Sequence, residues 1–217
     1  MEIIDLEKWD RKTPYENFVK YQDPVFSMTA RMDVTAIYKY SKKSKTSFFA
    51  NYLYAVNRSL NSIPDFRLRI KDEKVVSFDE IAPSFIVLND QGVIQTASVP
   101  ANNNYTEFYS SVIDKIARVR KGENQKEFNK SGEVGLFYYT AVKWVDFSHL
   151  KNPYHYPDKE STSIPRIAWG KIVKVGKRYQ MSMDIACHHA LLDGYPMALA
   201  FNKVQQAIDN FEKYIKE

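Results

Sequence analysis

One stretch limits the possible fold more than any other: Met181-Ser182-Met183-Asp184-Ile185-Ala186-Cys187-His188-His189-Ala190-Leu191-Leu192-Asp193-Gly194. Its first part reads as a strand. Met181, Met183, Ile185, Cys187 and His189 fall on one side of an extended chain, and Ser182, Asp184, Ala186 and His188 on the other. His189 ends the more apolar face, where the sheet stops and a turn begins. An imidazole there is partly desolvated, which favours its neutral form. A neutral imidazole can take a proton from a hydroxyl or thiol, as a general base must. Asp193-Gly194 marks a tight turn, and a buried aspartate needs a cation or backbone donors. Its offset from His189 suits a structural carboxylate better than a direct partner. The same residues also fit a histidine that merely satisfies packing at a strand end. A shared metal is disfavoured, because adjacent strand residues face opposite ways and no Cys-x-x-Cys or His-x-x-x-His accompanies the pair.

The chain has 217 residues, which suits one domain (1–217) with a substantial core. With 44% apolar and 14% aromatic residues it is not a disordered composition. The single cysteine, Cys187, excludes an internal disulfide and fits a reducing cytoplasm. Met1-Glu2-Ile3-Ile4-Asp5 does not read as a signal sequence, and no apolar run is long enough to span a bilayer. The net charge of +5 is a mild excess, densest at Lys42-Lys43-Ser44-Lys45. Without a stacking motif or zinc spacing this reads as a solvated helix end, not a nucleic-acid site. A modest positive field would help a polyanionic co-substrate approach.

Along the chain, Thr13-Pro14-Tyr15-Glu16 predicts a helix start, with Thr13 as N-cap and a helix to about Tyr21. Residues 25–34 alternate as a strand, a helix follows through Tyr40, and Thr46 or Ser47 caps a core helix from Phe48 to Leu60. Strands are predicted at 74–78, 84–89 and 92–98, the last two joined at Gln91-Gly92. Tyr105 to Lys121 is helical, stopped by Gly122, and 122–133 is a loop. Gly135 to Val142 is a strand and 149–163 a loop. Residues 165–173 and 178–188 form a hairpin around Gly176, and Pro196 starts the final helix.

His188-His189-Ala190-Leu191-Leu192-Asp193-Gly194 matches the His-His-x-x-x-Asp-Gly motif. Shorter versions of it occur in the acyltransferase domains of 2-oxoacid dehydrogenase complexes and in peptide-synthetase condensation domains. Together with Trp9-x-Arg11, Pro64-x-Phe66-Arg67, Thr140-Ala141, Trp144, Pro165 and Gly170-Lys171, in that order, the chain resembles the chloramphenicol acetyltransferase family nearly end to end. The resemblance implies an α/β (α+β) two-layer sandwich, a mixed sheet with helices packed on one side. It implies a cytoplasmic homotrimer with active sites between subunits, no metal, and acetyl-CoA as co-substrate. It also implies chloramphenicol O-acetylation and antibiotic resistance. His189 would be the general base, and Thr140 of the neighbouring subunit the oxyanion donor. Arg11 would pair with Asp193 and fix the loop after His189.

The acceptor side departs from the family pattern. Ala168 stands where the family has a threonine that binds the transition state through water, and Gln95 replaces a pocket phenylalanine. Leu150 and Asn152 occupy positions that pack on the antibiotic, while Phe18, Phe26 and Phe128 are retained candidates for the acceptor pocket. Two alternatives stay open: an acyltransferase for another small hydroxyl or amine acceptor, and a catalytically silent binding homologue.

Overall fold

The computed structural model describes residues 1–123 and 133–217. In chain order the elements are β1 (Glu2–Ile3), α1 (Lys12–Phe18), β2 (Val25–Asp33), α2 (Thr35–Ser44), α3 (Phe48–Asn61), β3 (Leu68–Lys71), β4 (Lys74–Ser77), β5 (Ala82–Leu88), β6 (Ile94–Ser98), α4 (Tyr105–Arg120), β7 (Leu136–Ala141), α5 (Lys159–Thr162), β8 (Arg166–Trp169), β9 (Val173–Val175), β10 (Arg178–His188), α6 (Gly194–Asp209) and α7 (Phe211–Tyr214). The main sheet runs β2-β10-β8-β7-β5-β6, with β9 also on β10. β5, β7 and β8 are mutually parallel and the other pairs antiparallel, so the sheet is mixed as expected. Among the described residues no helix is long and apolar enough to cross a membrane.

The alternation in β10 explains the layering. Met181, Met183, Ile185 and Cys187 face the main core with Phe85, Tyr139, Ile167 and Trp169, under the helices. α3 lies deepest: Ser47 caps it by accepting from the Ala50 amide, and its flanks are buried nearly all round. Its polar side chains are therefore partnered, and Asn57 accepts from the Tyr139 hydroxyl at 3.1 Å. The opposite face of β10, with Ser182, Asp184, Ala186 and His188, is also buried. The segment after β7 folds over it. The Ser182 hydroxyl donates to the Phe147 carbonyl and Arg166 donates to the Pro153 carbonyl. Gly170 permits that approach, since a Cβ there would stand 3.0 Å from the Val145 carbonyl and 3.2 Å from the Phe147 ring.

A second, smaller core lies under the sheet β1-β4-β3, where Tyr15, Leu68, Ile70 and Val75 enclose Ala190 and Leu191. It thus grips the turn that follows β10. Arg69, fully buried, donates to the carbonyls of Val134, Phe66 and Leu136 at 2.7–2.8 Å and so ties β3 to the entrance of β7. Burial pushes its guanidinium down to about 9.

Several local expectations need correction. α1 starts at Lys12 and ends at Phe18, with Arg11 at the N-cap and no side-chain cap. Pro14 therefore lies inside the first turn, where a missing N–H costs nothing, and no capping box forms. α2 continues one turn past Tyr40, to Ser44. α6 begins at Gly194, before Pro196. Residues 159–162 form a short helix capped by Asp158 inside the predicted loop. β3, and its turn to β4 through Asp72 and Glu73 at φ 48° and 60°, were not anticipated. The predicted loop 122–133 lies mostly outside the described residues, as does Phe128.

Candidate active site

His188 ends β10, paired with Val25, and the His189 amide donates to the Pro24 carbonyl at 2.8 Å. The strand thus delivers His189 just past the sheet edge. There the imidazole stacks on Phe18, with ring centroids 4.0 Å apart and 8° between planes, and meets Phe26 at 4.5 Å. Arg11 fixes the turn. It donates to the carbonyls of His189 (2.7 Å) and Ala190 (3.2 Å) and binds both carboxylate oxygens of Asp193. A guanidinium suits this position because its planar fork holds several acceptors at once. Its hydrogen bond holds the Asp193 carboxyl below the usual carboxylate range. Asp193 also comes closer to the base than its spacing suggested. Its Oδ1 lies 3.2 Å from His189 Nδ1, though without the alignment of a hydrogen bond. The His189 side chain is 32% exposed while Nδ1 is buried, so the accessible edge is the Nε2 side.

The structure distinguishes the two histidines. His188 is 2% exposed, and its Nδ1 accepts from the Ala190 amide at 3.2 Å, so the neutral ring carries its proton on Nε2. Burial pushes it down to about 4. Its one neutral lone pair is already engaged, which leaves His189 as the ring with a free edge.

Thr140 occupies a different place. β5 and β7 pair over Ala82–Phe85 and Leu136–Tyr139. Beyond that β5 continues to Leu88 beside β6, and β7 to Ala141 beside β8. The sheet therefore forks at Ile86 and Thr140. A cleft of about 560 Å³ fills the fork, lined by Thr140, Ile86, Leu88 and Ile94, with Lys143 and the Arg120 of α4 among its cations. Its mostly apolar lining with a few polar groups suits a small-molecule site.

Register gives the distance between the two sites. Thr140 pairs with Ala168, and Ala168 with Asp184, five residues before His189. Two strand spacings and five residues of rise place the backbones of Thr140 and His189 about 19 Å apart in one chain. Arg11, Phe18, Phe26, His189 and Asp193 are thus together, whereas Thr140 and Ala168 are not beside them. Ala168 is fully buried between Thr140 and Asp184, and Leu150 is half-buried in the segment that covers that face. The sequence reading missed the fork, with Lys143 and Arg120, and missed Asp184. The only signal for Asp184 was a carboxylate in the middle of a strand whose central neighbours Met183 and Ile185 are apolar.

The family model described as "Chloramphenicol acetyltransferase" matches residues 1–205. A chloramphenicol acetyltransferase of Escherichia coli is 26% identical over 210 residues, 96% of this chain and 94% of that protein. A solved structure titled chloramphenicol acetyltransferase superposes with a TM-score of 0.86 at 28% identity, over 95% of this chain and 99% of that one. A probable dihydrolipoamide acetyltransferase from Listeria monocytogenes shares the fold alone, at TM-score 0.66 and 14% identity over 100% of this chain and 96% of that one. The chain belongs to the chloramphenicol acetyltransferase family and is an acyltransferase with that fold.

Proposed function

We propose that this chain, as one domain over residues 1–217, moves an acetyl group from acetyl-CoA to a hydroxyl of a small acceptor, with chloramphenicol the first acceptor to test. On this reading it is a cytoplasmic antibiotic-resistance enzyme that works as a homotrimer. The observation that carries the reading is the clamped base: His189 has one accessible edge and a backbone held by Arg11. Nε2 takes the proton of the acceptor hydroxyl, whose oxygen attacks the thioester carbonyl carbon. The Thr140 hydroxyl donates to the oxyanion as the tetrahedral intermediate forms. Collapse breaks the C–S bond, and protonated His189 returns the proton to the departing thiolate. Asp193 and Arg11 hold the turn and transfer no proton.

The fork suits the donor. A pantetheine arm is narrow and amphipathic, and its amides fit strand edges that lie outside the β5–β7 ladder. Lys143 and Arg120 offer charge to the phosphates. Catalysis needs base and oxyanion donor each within hydrogen-bond reach of the reacting carbonyl, about 3 Å on either side. The separation within one chain therefore supports a site made by His189 of one subunit and Thr140 of the next.

Two observations favour a second acceptor reading. Ala168 offers no hydroxyl to a bridging water, and Gln95 stands where the resemblance implies a pocket phenylalanine. The deciding experiment is thiol release from acetyl-CoA by the purified protein with and without chloramphenicol, beside His189→Ala. Release that depends on both supports the proposal. Undiminished release by the variant refutes the base, and CoA binding without release with any hydroxyl acceptor favours the silent homologue.

A further inference from the structure

The face of the sheet opposite the helices carries an unusual group. Asp184 sits mid-strand in β10 and is 0% exposed. Its Oδ2 accepts from the Thr29 hydroxyl across the β2 ladder at 2.7 Å. Its Oδ1, also buried, has no hydrogen-bond partner among the described residues. A buried carboxylate oxygen without a donor is costly, so this position is built for a group that supplies one.

Several features place that group beside the reaction. Thr29, Asp184, Ala168 and Thr140 are register neighbours on successive strands, so their side chains share one face. Asp184 is two strand spacings from Thr140, about 10 Å, and only the single methyl of Ala168 stands between them. The segment that covers this face adds Asn152 Nδ2 and the Tyr154 hydroxyl, both buried and without partner among the described residues. The cations on this face make no hydrogen bond to Asp184. Arg31 pairs with Asp146, and Arg166 donates through Nη1 to the Pro153 carbonyl with its guanidinium 3.7 Å from the Tyr154 ring centroid, leaving its buried Nε without a partner among the described residues. Burial pushes the Asp184 carboxyl above its ordinary range, against the Thr29 hydrogen bond and the charge of His149 in the covering segment, where Tyr154 also feels Asp184.

We propose that Asp184 determines acceptor specificity: its Oδ1 receives an ammonium group of the acceptor, so the enzyme prefers small amino-alcohols over neutral acceptors built on the same skeleton. The inference rests on the acetyltransferase reading above and deepens it by naming the acceptor class. An ammonium supplies both the donor and the counter-charge that the buried carboxylate lacks.

Two probes share the same pair of hydroxyls and differ in what the nitrogen carries: chloramphenicol, whose nitrogen is a neutral dichloroacetamide, and the free amine left when that acyl group is removed. Thiol release gives kcat/KM for each, and calorimetry gives each Kd with the full-length protein. The wild type is expected to favour the amine by about tenfold or more, the usual worth of a charge-assisted hydrogen bond. Asp184→Asn keeps an oxygen for Thr29 but loses the charge, and is expected to reduce that preference at least tenfold. A wild-type preference for chloramphenicol overturns the proposal without any variant, as does an unchanged ratio in folded Asp184→Asn. No thiol release with either probe refutes the acetyltransferase reading instead. The two Kd values still decide on Asp184 in that case, and equal binding overturns it.

Discussion

If His189 and Thr140 meet only across a subunit boundary, two dead enzymes should make a live one. In His189→Ala every site lacks its base, at a cost of about 10²–10⁴ in rate. In Thr140→Ala every site lacks an oxyanion donor, about 10²–10³. Each homo-oligomer should therefore run at roughly 1% or less of wild type. After the two variants are co-refolded in equal amounts, a site is whole when its base comes from a Thr140→Ala chain and its donor from a His189→Ala chain. Each condition holds for half of the chains, so about one quarter of the sites are complete in a ring of heterologous contacts. The expected activity is about 25% of wild type in the unfractionated mixture and about one third in mixed trimers purified through both tags, where one site of three is whole, well above either parent. The geometry leaves little room for escape, since the register separates the two groups by about 19 Å within a chain. Thiol release from acetyl-CoA is the assay, with differently tagged chains purified in tandem to prove mixed assembly. Proven hetero-oligomers with no more activity than the mean of their parents would refute the shared site.

Two other expectations follow from the same turn. His188 titrates near 6.5 when unfolded and near 4 when folded, so between those values the unfolded chain binds more protons. Stability should therefore be full above about pH 6.5 and fall toward pH 4, by up to about 3 kcal/mol. Chemical denaturation across that range, with His188→Gln alongside, checks it: the variant should lose less stability toward pH 4, since carboxylates such as Asp193 still titrate there, and a wild type no steeper than the variant contradicts it. Arg11→Lys cannot hold two carbonyls and both oxygens of Asp193 at once. It should lower kcat about tenfold or more with little change in the KM for acetyl-CoA, and should lower the melting temperature. The Asp193 carboxyl should return toward its ordinary range, because in the native protein the guanidinium is what lowers it.

What the sequence could reveal depended on how far apart the interacting residues lie along the chain. β10 was legible because its alternation is written in neighbours, and α3 because Ser47 and the three- and four-residue apolar spacing are local. The Arg11–Asp193 pair was legible only through the resemblance, since 182 positions separate its members. Local signals also misled. Thr13-Pro14 has the chemistry of a helix start, but Arg11 takes the cap position and commits its side chain to Asp193 instead. The turn at Asp72-Glu73 is left-handed at both residues without a glycine to announce it.

The fork and Asp184 lay beyond any local reading. The fork exists because β5 leaves β7 after Phe85 while β7 keeps β8, a fact about the register of three distant segments. A lone aspartate in a strand reads as an outward polar residue. Only the cross-strand row from Thr29 to Thr140, together with the segment folded over it through Phe147 and Pro153, turns it into a buried carboxylate. The same row explains why Ala168 and Asp184 belong to one argument. At 168 the chain has a methyl where the resemblance implies a threonine that binds the transition state through water, and one strand over it holds a buried carboxylate with an oxygen to spare. A neutral, largely apolar acceptor gains from neither change, whereas an acceptor that brings its own cation is matched by both. Restoring the hydroxyl alone, as Ala168→Thr, should therefore raise turnover of chloramphenicol, by about tenfold for one regained hydrogen bond of roughly 1–2 kcal/mol. It should do so without reversing the preference for the amine, which is set at Asp184. A variant that gains on chloramphenicol only by losing the amine preference would mean that the two residues do not act separately.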